Sequence, residues 1–88
     1  MTRDEVDEFI ELMAPEHVDE ILIADDLDRA FIGVMFEPAR AVYSVELCIS
    51  ELAKSMSKAE AEEYFYYNAE RGASYMGEHA PVFINTPT

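Results

Sequence analysis

Eighty-eight residues with 19 acidic against 6 basic side chains carry a formal charge of −13, a field that repels phosphate backbones and anionic lipid and argues against direct nucleic-acid or membrane binding. Half the residues are apolar, so the length suits one domain, 1–88, with a modest core that a homodimer would supplement. A lone cysteine, Cys48, excludes an internal disulfide, no apolar run approaches the ~20 residues of a membrane span, and the chain starts TRDEVDE in place of a basic, apolar leader; a cytoplasmic protein is expected.

The charge is lopsided: residues 1–29 hold eleven acids against Arg3 and Arg29, and the rest hold eight against four bases. Residues 1–24 read as an acidic helical segment. Thr2 and Glu5 have capping-box spacing, and Val6, Phe9, Ile10 and Met13 recur at helical intervals. That stripe leaves Asp4, Asp7, Glu8 and Glu11 on the solvent side. Pro15 stops this helix or opens a second, shorter one, in which Val18, Ile21 and Leu22 continue the spacing.

After Asp25–Asp28 the pattern changes. "AFIGVMF" is a continuous apolar run, a turn at Glu37-Pro38 follows, and "RAVYS" comes next, which together suggest paired strands, with Gly33 either at a bulge or where another element packs close. A helix from Asp26 through Leu27, Ala30, Phe31 and Val34 is the alternative. From Ser44, the positions Val45, Cys48, Ile49, Leu52, Ala53 and Met56 follow the helical template, and Ser57 with Glu60 forms a second capping box. The helix after it is expected to turn Ala61, Tyr64, Phe65, Asn68 and Ala69 inward and to end at Gly72. "PVFI" closes as a short edge strand, because Pro81 has no amide hydrogen to donate. The fold class is therefore α+β, mainly helical, with three or four helices and a small two- or three-stranded sheet from the central run, "RAVY" and "PVFI".

Enzyme templates find little to hold. Cys48 lies on an apolar helix stripe, neither histidine has the context of a triad, and glycines at 33, 72 and 77 are too dispersed to cradle phosphate. No catalytic residue and no cofactor are assigned. His17 with Glu20, and Glu16 beside them, offer metal ligands from one turn, but such a pair arises easily by chance in so acidic a segment. His79 beside Glu78 is a weaker pair, and no metal is assigned. Tyr67, Arg71, Tyr75 and His79 are either turn-holding groups, with Asn68 pinning the "GASYMG" turn and Tyr75 beneath it, or an aromatic and cationic recess for a planar or phosphorylated ligand.

The order of several pieces resembles a family of small proteins encoded by tailed bacteriophages and prophages. Those pieces are Asp26 to Asp28, Ile32 to Val34, Val42 to Tyr43, Met56 to Ser57, Tyr67 to Asn68, and Tyr75 to Pro81. The likeness spans residues 25–84; the acidic segment, residues 1–24, and the tail, residues 85–88, lie outside it. The resemblance implies a phage origin and brings no activity with it. The expectation is a non-catalytic accessory protein in the host cytoplasm. Through Asp4, Asp7, Glu8 and Glu11 it would bind a basic surface of a host protein, for host takeover or counter-defence, with carboxylates standing where an enzyme expects phosphates. The alternatives are a small-ligand or nucleotide-like binder using Tyr67, Arg71, Tyr75 and His79, and a minor virion component.

Overall fold

A computed structural model describes residues 1–70 and 77–87. Helix α1, Arg3–Met13, starts at the expected capping box: the Thr2 hydroxyl accepts from the Glu5 amide, and the Glu5 carboxylate accepts from the Thr2 amide at 2.8 Å. Both bonds use groups a helix start would otherwise leave unpaired. Of the apolar stripe, Val6 and Ile10 are buried and Phe9 packs against the core, while Met13 is half exposed at the end of the helix.

The second helix expected from Pro15 to Leu22 does not form. Pro15–His17 is a single 3-10 turn with no side chain capping it, and a turn follows. Three or four residues after a proline cannot recover the cost of nucleating an α-helix, so Val18 faces solvent and Ile21 alone of its apolar positions is fully buried. The helical alternative for 26–34 reduces to another 3-10 turn, Asp28–Ala30, before the chain extends.

Strand β1, Phe31–Met35, pairs antiparallel with β2, Arg40–Ser44, with Phe31 opposite Tyr43 and Gly33 opposite Val42. The register shifts between Phe31 and Gly33, so the bulge lies where the glycine suggests it. β3, Val82–Ile84, runs parallel to β2 on the other side, Val42 opposite Val82, and is an edge strand as Pro81 implies. The sheet order is β1-β2-β3, three strands of mixed direction.

Helix α2, Val45–Leu52, begins directly after β2, with Ser44 as its cap. Helix α3, Lys58–Tyr64, follows the Ser57–Glu60 capping box, in which each side chain bonds the other residue's amide. Beyond Tyr64 the backbone continues as a wider π-helical turn, Phe65–Glu70. Ala61 and Phe65 are buried as expected, but Tyr64 and Asn68 are exposed. Tyr64 already lies off the stripe that Ala61 and Phe65 bury, and Asn68, one turn further on, shares its exposed face and donates to the Tyr64 carbonyl of its own helix at 3.3 Å, where the sequence suggests a core position. The expected end at Gly72 lies outside the described residues.

Five rings line up across the core, each centroid within 5.8 Å of the next: Phe9, Phe31, Tyr43, Phe83 and Phe65. Three of the four contacts are edge-to-face, the arrangement ring quadrupoles favour. The row connects α1, the three strands and the start of the π turn, and it fixes how the acidic helix sits against the sheet.

Candidate functional site

The four carboxylates expected to meet a partner, Asp4, Asp7, Glu8 and Glu11, are all exposed on α1. They are not electrostatically equal. The Arg3 guanidinium lies 3.3 Å from Asp7 and 3.6 Å from Asp25, so Asp7 is partly compensated by a base on its own helix. The Asp7 hydrogen bond pushes the Arg3 guanidinium further above its already high range. Asp7 and Glu11 also line a recess between α1 and the segment 18–23, together with Arg3, Ile10, Val18, Ile21 and Ile23. On another side of α1 Leu12 is 76% exposed, the largest exposed fraction among the large apolar side chains described. Carboxylates beside an apolar wall suit a lysine or arginine, whose aliphatic stem and charged head need different surroundings.

Of the alternative cluster, Arg71 and Tyr75 lie outside the described residues. Tyr67 is exposed and lines a shallow groove with Met56, Glu60, Glu63, Tyr64 and Asn68. His79 is placed in different company. Its Nδ1 is 2.8 Å from the Ala39 carbonyl, its Nε2 is 2.8 Å from Glu20 Oε2, and its ring centroid is 5.8 Å from that of His17. His17 Nδ1 approaches the same Glu20 oxygen at 3.3 Å. The sequence suggests the His17–Glu20 pair but gives no sign that His79, from the far end of the chain, completes it.

Backbone bonds hold the three residues in place. The Glu20 and Ile21 amides donate to the His17 carbonyl, tightening the turn, and the Leu22 amide donates to the His79 carbonyl, fastening the C-terminal segment to it. Arg40 Nη1 reaches the neighbouring Ala80 carbonyl at 3.4 Å.

Cys48 is buried, and burial pushes its thiol up to about 12, so almost no thiolate exists near neutral pH. That agrees with its reading as a packing residue. Tyr43 is likewise pushed up to about 12 by burial, although the Ala24 amide bonded to its hydroxyl acts in the opposite direction. No described helix is long and apolar enough to cross a membrane. No protein-family model, curated protein or solved structure matches the chain.

Proposed function

We propose that this is a small non-catalytic binding protein that recognises a basic surface of a protein partner through α1 and the recess beside it. The observation carrying this reading is that Asp4, Glu8 and Glu11 are exposed along α1, with Glu11 at a recess that Ile10, Val18, Ile21 and Ile23 also line. A basic side chain can lay its stem in that recess and its charge against Glu11. Asp4, Glu8 and Glu11 extend the negative field along the exposed side of the helix, and Leu12 offers an apolar contact at its end. The −13 charge would steer a cationic partner into encounter, faster at low salt than at high.

Given the resemblance to phage-encoded proteins, the partner in this reading is a host protein with a phosphate-binding or otherwise basic surface, and the effect is to block or redirect it. The test is capture from bacterial extract with the parent protein and an Asp4→Asn/Glu8→Gln/Glu11→Gln variant, each at low and raised salt. The expected result is recovery of a basic protein by the parent, reduced at higher salt and reduced at least tenfold in the variant. Equal recovery by parent and variant would remove α1 as the contact.

A further inference from the structure

The His17, Glu20 and His79 cluster is independent of the α1 surface, and two ring nitrogens and one carboxylate oxygen converge in it. The Ala39 carbonyl can only accept, so His79 Nδ1, 2.8 Å away, must carry a proton. In the neutral ring Nε2 is then a bare lone pair, and it points at Glu20 Oε2, also a lone-pair atom, at 2.8 Å. Two acceptors at that separation need a positive centre between them, either a second ring proton or a bound cation. His17 Nδ1 converges on the same carboxylate oxygen, and the three ligand atoms lie within 4.8 Å of one another. Ring protons on His79 Nε2 and His17 Nδ1 would serve the two contacts one at a time; a metal ion joins all three ligand atoms at once.

We infer that His17 Nδ1, Glu20 Oε2 and His79 Nε2 form a binding site for a divalent transition-metal ion of the zinc class. Two imidazoles and one carboxylate are a donor set that suits zinc, with a fourth position left to water or a partner's group. Ligand bonds of about 2.0–2.1 Å place tetrahedral neighbours about 3.3 Å apart, close to the 3.3 Å between His17 and Glu20 and slightly wider than the 2.8 Å between His79 and Glu20. The Nδ1–H to Ala39 carbonyl bond is the kind of outer contact that fixes a ligating histidine's tautomer and ring plane. His79 is also the least exposed of the three, at 17% of its side chain, and is anchored through both its ring and its carbonyl, so the site is partly formed before an ion arrives. Glu78 Oε1, 3.5 Å from His79 Nε2, adds negative charge at the rim.

So acidic a protein collects divalent ions on its carboxylates, so the test must separate imidazole ligation from that background. Zinc is titrated into the full chain by calorimetry in a millimolar excess of Mg2+, which occupies oxygen-only sites but competes poorly for nitrogen. The expected result is one saturable Zn2+ per chain. His17→Ala, at a half-buried position, and Glu20→Gln, at an exposed one, should each weaken it by about tenfold or more, and Glu16→Gln should leave it unchanged. Ring-nitrogen NMR supplies a readout that general stabilisation cannot mimic: Zn2+ should move the Nδ1 signal of His17 and the Nε2 signal of His79, opposite nitrogens on the two rings. Absence of saturable binding, unchanged affinity in the His17→Ala and Glu20→Gln variants, or unmoved ring signals would overturn the assignment.

Discussion

Tyr43 shows how much one side chain can carry in a core this small. Its ring sits at the middle of the aromatic row and its hydroxyl accepts the Ala24 amide at 3.0 Å, tying the segment after the 3-10 turn to the central strand. Tyr43→Phe keeps the ring and strands the amide, so the expected loss is about 1–2 kcal/mol, from one hydrogen bond plus incomplete rehydration of its donor. Urea unfolding with an unchanged slope measures it; a loss below about 0.5 kcal/mol, within the range of ordinary surface changes, would mean that water replaces the hydroxyl at Ala24. Sequence reading anticipates neither this bond nor the meeting of His79 with His17. Both join distant stretches of chain, and nothing in the spacing of residues around Ala24 or His79 encodes which side chain folding will bring there. Cys48, by contrast, is legible, because an apolar helical stripe decides its burial locally.

Helix starts are the most readable elements, since a cap is a contract between residues three apart: Thr2 with Glu5 and Ser57 with Glu60 both form as spaced. The strands are readable too, because apolar runs around a turn and a glycine at the bulge constrain pairing. Sequence and structure part where helices are short. Pro15–His17 is too short to become α-helix, and Tyr64 with Asn68 lies off the stripe that Ala61 and Phe65 bury; a short helix offers too few apolar positions for its period to choose between neighbouring faces. Among the caps, Ser44 has the most to lose. Its buried hydroxyl accepts the Leu47 amide, shares a 2.7 Å bond with Thr86 Oγ1, and sits beside the Glu46 carboxylate that takes the Thr86 amide. That amide bond holds the Glu46 carboxyl below its usual range. Ser57 caps in the open. Ser44→Ala should therefore cost about 2 kcal/mol, the upper end for a cap, and Ser57→Ala about 1 kcal/mol or less. Thermal or urea midpoints of the two variants compare them directly, and equal losses would show that the Thr86 latch adds nothing.

At the scale of the whole molecule, self-repulsion is the dominant electrostatic quantity. Thirteen net negative charges face, among the described residues, surface ion pairs such as Arg3 with Asp7 and Lys54 with the half-buried Glu51, which are worth little each. Raising ionic strength shortens the screening length from about 30 Å at 0.01 M to about 8 Å at 0.15 M, which relieves repulsion across the molecule more than it weakens contacts at 3–4 Å. The melting midpoint should rise over that range of NaCl. A falling midpoint would mean that local pairs outweigh the global field, and the same salt series would then weaken the case for charge-steered partner binding.

The sheet's connectivity governs the order in which the protein becomes able to fold. β2 finds its parallel neighbour only when Val82–Ile84 exists, and the Phe65 and Tyr43 rings both rest against Phe83. During translation β1, β2 and helices α1 to α3 are made while that aromatic face still lacks its closing member. Until Val82–Ile84 is made, the Tyr43 and Phe65 rings lack the Phe83 contact that closes the aromatic row, so the fold is completed only after that strand has joined β2.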